Sequence, residues 1–280
     1  MKTAILLLLF IFTNLIALDI TLVPYTAKDS YTNSSNKSSK INGFYTKFKE
    51  PNYSIELDYE TMSLESNSTT TKQTDYTLAY AYFIKNNYKI KTLYHQISNN
   101  AKTNSKVKAY LLGVEFYKKS IFNLGINLSY SSYDETSLAK EVYQTSPYFK
   151  ISFGDYKSTM GKYVLKLDAN GLYPKAQDTN TTSIKNNSSF GISLQQFKGD
   201  FSNMFSYYKG EEIFAVKDNG FSINNLNQLY TSGFSLSTRY RIYDDMGIKL
   251  LYKSDKFTAI DTNMDGERKR YLLLFDYTIK

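Results

Sequence analysis

Two short clusters in this 280-residue chain carry side chains that could do chemistry. The first is Tyr94-His95-Gln96-Ile97-Ser98-Asn99, in which the sequence's one histidine stands three residues before a serine. A histidine that takes the proton of a serine hydroxyl makes a hydrolytic nucleophile, provided both groups share a face within hydrogen-bond reach. On a strand, residues i and i+2 share a face and residues i and i+3 do not. The series Tyr88, Ile90, Thr92 and Tyr94 sets one face, so His95 is expected on the other, away from Ser98. The second cluster is Asp261-Thr262-Asn263-Met264-Asp265-Gly266, alternating oxygen ligands followed by a glycine for a sharp turn, as in the opening of a calcium loop. The bidentate glutamate such a loop needs is replaced by Leu272, and Lys269 fills another ligand position. Asp261, Asn263 and Asp265 therefore make half a Ca²⁺ site of weak expected affinity. The absence of cysteine excludes disulfides and thiol nucleophiles, and one histidine argues against zinc or copper. No phosphate-binding glycine loop or nucleophile elbow occurs, so neither an enzyme nor a bound cofactor is expected.

Charged residues fall instead into rows with a period of two. Arg239 and Arg241, Lys249 and Lys253, and Arg268 and Arg270 lie in three successive segments. Glu56, Asp58 and Glu60 form an acidic row, and Lys89, Lys91, Lys150, Lys162 and Lys166 add scattered positive charge. The formal charge of +8 is spread along the chain, without a basic run interleaved with aromatics, so nucleic acid is not an expected partner.

These rows need strands to hold them, and the apolar residues supply the complementary row. In Phe122–Tyr130, Phe122, Leu124, Ile126, Leu128 and Tyr130 point one way while Asn123, Gly125, Asn127 and Ser129 point the other. The same alternation predicts strands near 20–28, 41–48, 53–64, 74–84, 88–98, 106–116, 122–133, 143–153, 161–170, 187–197, 201–210, 229–242, 247–256 and 268–279. The first is the weakest, because Pro24 cannot donate to a ladder; without it and one more, twelve would remain. Tight turns such as Glu50-Pro51-Asn52 and Asp244-Asp245 alternate with long polar loops at 31–40, 65–73, 99–105, 134–142, 171–186, 211–228 and 257–267. Many apolar rows begin or end in one of the 27 tyrosines, which favour a membrane interface.

The fold expected from this pattern is all-β: a transmembrane antiparallel up-and-down β-barrel of about 14 strands, residues 18–280, behind a signal peptide at 1–17 with Lys2 and the apolar run Ala4–Phe12. A secreted β-sandwich also alternates, but it has no reason to end row after row in tyrosine or to alternate long and short connections. Loop 211–228, with Ile213, Phe214, Val216, Phe221 and Ile223, is unusually apolar. It is expected to extend its neighbouring strands above the membrane, with folding into the mouth as the alternative.

The last strand, Tyr271, Leu273, Phe275, Tyr277 and Ile279, is similar to the C-terminal signature of bacterial outer-membrane β-barrel proteins, Ile279 taking the slot usually held by an aromatic residue. In strand number and size the chain resembles small single-chain porins. The resemblance implies the outer membrane of a Gram-negative bacterium, contact with lipid and lipopolysaccharide, and reading of Tyr271–Ile279 by the barrel-assembly machinery. It further implies passive diffusion of small hydrophilic solutes or ions, with the charged rows lining the pore beside His95. The excess of lysine and arginine predicts mild anion selectivity. The alternative is a non-conducting barrel with a structural or adhesive role carried by its surface loops. The His95 segment also resembles the His-x-Ser-Asn motif of outer-membrane lipid hydrolases, but its spacing puts the two groups on opposite faces. The sequence does not fix an oligomeric state, a monomer being the simplest.

Overall fold

A computed structural model describes residues 18–280 apart from 68, 86, 101–104, 119–120, 135–137, 177–184, 225 and 261. The signal segment 1–17 and Asp261 lie outside the described residues. The wall begins with β1 (Asp19–Thr32), β2 (Asn36–Lys49), β3 (Tyr53–Ser66), β4 (Thr70–Ile84), β5 (Tyr88–Asn99) and β6 (Lys106–Lys118). It continues with β7 (Phe122–Tyr133), β8 (Ala139–Gly154), β9 (Lys162–Ala176), β10 (Asn187–Lys198) and β11 (Phe201–Glu212). The chain then leaves the wall to form a small hairpin, β12 (Val216–Lys217) and β13 (Ser222–Ile223), around a short 3₁₀ turn. It returns as β14 (Gln228–Tyr243), β15 (Met246–Ala259) and β16 (Met264–Ile279).

Fourteen strands close into one antiparallel barrel, each paired with its neighbour in sequence except at the excursion, where β11 pairs with β14, and at the seam, where β1 pairs with β16. The weak first strand is a full wall strand. Pro24 is accommodated because the β1–β16 ladder is interrupted at Val23 and Pro24, between Leu22↔Tyr277 and Tyr25↔Leu274. The seam is also held by side chains: Arg270 donates to both oxygens of Asp29, at 2.7 and 2.9 Å, across 241 residues of sequence.

Outward rows are the apolar ones. Leu124, Ile126, Leu128, Leu112 and Leu236 are all exposed on the outer wall. Rings bracket this belt at two levels. Tyr94–Tyr110 and Tyr130–Tyr143 pack across strands with centroids 5.2 Å apart at one level, and Tyr88–Phe116 and Phe153–Tyr163 do so at the other, 5.1 and 5.4 Å apart. From Tyr130 to Phe122 is about 26 Å along β7, or roughly 20 Å of height at the usual tilt, close to the apolar band of outer-membrane barrels at about 25 Å.

Several wall strands run past the belt, so the loops are shorter than expected. The loop predicted at 31–40 shrinks to 33–35, because polar residues keep pairing above the membrane, as in Asp29↔Ser39 and Ser30↔Ser38. The inner wall is tightened by close approaches: Tyr148 lies over Gly125 so nearly that a Cβ there would stand 2.4 Å from its ring.

Candidate functional site

Segment 213–227 does not extend the neighbouring strands upward, as expected; it folds into the lumen. The departure starts at Gly210, where φ is +122° and a Cβ would meet the Ser188 carbonyl at 2.4 Å. The β11–β14 register slips between Lys209 and Glu212, and this glycine bulge turns the chain inward. Physical chemistry then decides the direction. Ile213 and Phe214 are fully buried against inward residues of β4 to β8, among them Leu93, Leu111, Tyr133 and Val142, and Ala215 beside them is buried too. These apolar side chains point to the interior, where water would otherwise meet them, and the loop supplies their cover.

Polar contacts fix the docked loop at its edges. Tyr133 donates its hydroxyl to the Phe214 carbonyl at 3.2 Å, and its ring lies 4.8 Å from that of Phe214. Gln144 bonds the backbone of Val216 twice, accepting from its N–H at 2.8 Å and donating to its carbonyl at 3.0 Å. Lys91 donates to the Asn219 carbonyl at 3.3 Å and stands 4.7 Å over the Phe221 ring. Lys217 is paired with the buried Glu212, which also accepts from Ser189 and Asn170.

The docked loop divides the interior into two unequal cavities of opposite character. The larger, about 520 Å³, is lined by Lys166, Lys217, Lys249 and Lys253 together with Asp168 and Asp218. The smaller, about 420 Å³, is lined by Asp29, Asp58, Glu60, Asp75 and Asp218 with Tyr25. Arg268 and Arg270 border both.

Most of the expected charges do share this interior, but few are free. On the basic side, Arg239 forks onto Asp276 at 2.9 and 2.5 Å. Lys253 and Arg268 share Asp255 at 3.2 and 2.6 Å, and Arg270 holds Asp29. Lys150 pairs with Glu115 at 3.6 Å and Lys166 with Asp168 at 2.8 Å. At the end of the barrel that carries the short turns, Arg241 pairs with Asp200 at 2.7 Å, and Lys162 lies 4.9 Å over the Tyr156 ring. Lys249 and Lys89 have no carboxylate within 4.0 Å among the described residues. In the acidic row, Glu56 pairs with Lys47 at 3.3 Å, while Asp58 and Glu60 both accept from the Tyr25 hydroxyl at 3.0 to 3.2 Å. The expected rows do not include the partners Asp29, Asp255 and Asp276, although Asp255 and Asp276 share strand parity with the basic residues on their own strands.

His95 points inward, as its parity requires, but it is 1 % exposed and sits in the apolar patch rather than on the open lumen. Its Nδ1 is 2.7 Å from the Thr77 hydroxyl, and Ser98 is exposed on the outer side. Of the calcium candidates, Asp265 accepts from Thr258 at 2.7 Å and Asn263 occupies the β15–β16 turn with φ +53°, while Asp261 is not described.

No family model matches the chain, and no curated protein matches it in sequence. Its fold is shared by solved structures. A bacterial polysaccharide outer membrane secretin superposes with a TM-score of 0.58 at 8 % identity, covering 93 % of this chain and 98 % of its own. The CymD monoaromatic hydrocarbon channel gives 0.55 at 8 % identity, covering 93 % and 87 %. At these identities the likeness concerns fold. The class is nonetheless defined: a closed, even-stranded antiparallel barrel with an apolar belt and two aromatic girdles is an outer-membrane β-barrel. That architecture belongs to the outer membrane of a Gram-negative bacterium.

Proposed function

We propose that this barrel is a passive channel for small hydrophilic solutes or ions, with segment 213–227 as its constriction and a mild preference for anions. The observation that carries the reading is the division of the lumen. The loop covers the apolar patch, and the larger compartment it leaves is lined by lysines. Ion pairing along β14 to β16 neutralises much of the basic wall, so selectivity rests on the few cations left over, Lys249 and Lys89 foremost. Charges at a narrow passage with low-dielectric walls act strongly on passing ions. Catalysis has no part in this reading, since His95 is committed to Thr77 and separated from Ser98 by the wall. The chain acts as a single-barrel channel, inserted by the assembly machinery through its last strand.

Single-channel recording of the refolded barrel in a planar bilayer, with reversal potentials in a salt gradient, tests this. Discrete steps with a reversal potential of anionic sign are expected, shifting toward the cationic side in Lys249→Gln. Silence from a folded barrel would reject the channel in favour of a structural or adhesive barrel. A reversal potential unmoved by Lys249→Gln would reject the anion preference alone.

A further inference from the structure

A further hollow lies not in the lumen but on the outer wall. It has a volume of about 1270 Å³ and runs across β9 to β16 and on over β1 to β3, following one cross-strand row. Most of its length is apolar, with Leu194, Phe205, Leu236, Leu250 and Leu273. Its end on the long-loop side is different. There it is bordered by Lys28 and Lys40, with Ser38, Ser63 and Glu65.

This is also where the aromatic girdle breaks. Outward rings run Phe234–Tyr252–Tyr271 with centroids 5.8 and 5.2 Å apart, and the level resumes at Tyr59–Tyr76. Between them the register passes from Tyr271 to Lys28, from Lys28 to Lys40, from Lys40 to Ser63 and from Ser63 to Lys72. Lys28 and Lys40 are thus directly opposed like charges, an arrangement that destabilises a sheet unless an anion lies between them. No carboxylate among the described residues is within 4.0 Å of Lys28, Lys40 or Lys72. Glu65, the acid in the neighbouring row, accepts from Ser38 at 3.0 Å.

We propose that this hollow binds one molecule of a phosphorylated glycolipid of the outer leaflet, of the lipid A type. Lys28 and Lys40 at the end of the hollow, with Lys72 two strands further along the same row, take its phosphates, and the apolar groove takes its acyl chains. The basic row spans about 14 Å over three strand spacings, the reach of a disaccharide phosphorylated at both ends, and the Ser63 hydroxyl faces the sugar between. An ordinary diacyl phospholipid has one phosphate and fills one end of such a row. The proposal rests on the outer-membrane placement and is independent of conduction, so the failure of either leaves the other standing.

The test uses the refolded full barrel in phosphatidylcholine nanodiscs, titrated with fluorescent bisphosphorylated lipid A. Saturation at one lipid per barrel is expected, with phosphatidylglycerol and dephosphorylated lipid A competing poorly. Each exposed lysine near a lipid surface changes affinity by about fivefold, so Lys28→Gln/Lys40→Gln/Lys72→Gln is expected to bind about a hundredfold more weakly, while Lys106→Gln/Lys108→Gln on another arc is expected to bind as the parent does. All five lysines are exposed, and heat-modifiable gel mobility checks that each variant is folded. Equal binding by the folded triple variant, or equal competition by phosphatidylglycerol, would overturn the proposal.

Discussion

Phe214→Ala tests whether the loop is the constriction. The Phe214 side chain is wholly buried, packed on Tyr133 and flanked by Ile213 and Val216. Truncating a buried phenylalanine costs about 3–5 kcal/mol. The residue also sits at φ +54°, where a bulky L-residue is strained. Alanine keeps a Cβ and therefore keeps most of that strain, so there is no compensating relief. At about 1.4 kcal/mol per decade, the ratio of docked to undocked loop falls by a factor of at least about one hundred. Phe214 lies outside every ladder of the barrel wall, so the barrel itself is unaffected. Single-channel recordings are expected to show larger conductance, with long dwells in a state the parent visits rarely. Tyr133→Phe removes one hydrogen bond worth about 1 kcal/mol and is expected to shift the same ratio by only about fivefold. A folded Phe214→Ala barrel with parental conductance and dwell times would show that the apolar seat does not control the passage.

Three further outcomes follow from the wall. Ile126→Lys, midway between the girdles, is expected to lower barrel stability by about 2–4 kcal/mol in denaturant unfolding from vesicles, whereas Asn127→Lys on the lumen side leaves it nearly unchanged; equal effects would contradict the assigned faces. Asp29→Asn removes the charge opposite Arg270 at the seam and is expected to cost about 3–5 kcal/mol in the same assay, because a buried cation loses its partner; an unmoved midpoint would mean the seam is held by the ladder alone. Gly125→Ala drives a Cβ into the Tyr148 ring and is expected to cost about 1–3 kcal/mol, a loss that Tyr148→Ser should largely restore in the double variant.

The barrel was legible because its constraint is written at every second residue. A strand that faces lipid on one side and water on the other must alternate, and a single misplaced lysine on the lipid side is costly. Rows such as Phe122 to Tyr130 therefore point outward in the structure as parity required. Strand ends were less legible for a related reason. Above the girdle neither face meets lipid, so Asp29-Ser30 and Ser38-Ser39 carry no apolar alternation even though they pair as regular β-structure. Polarity there marks the membrane boundary, not the end of the strand.

The interior is harder because parity gives a residue's face and not its neighbour. Arg239, Arg268 and Arg270 point inward, but whether they act on a solute depends on Asp276, Asp255 and Asp29, which reach them across strands. The apolar patch is the more instructive case. In β5 and β6 both parities are apolar: Ile90 and Leu112 face lipid, while Leu93, Ile97, Val107 and Leu111 face inward. A strand wet on one side has no use for that second row, so its presence implies a cover inside the barrel. The one long loop rich in Ile, Phe and Val is the segment able to provide it. Taken together, the doubly apolar strands and the apolar loop carry the information that neither carries alone. The energetic preference for burying both faces at once sends the loop inward rather than upward.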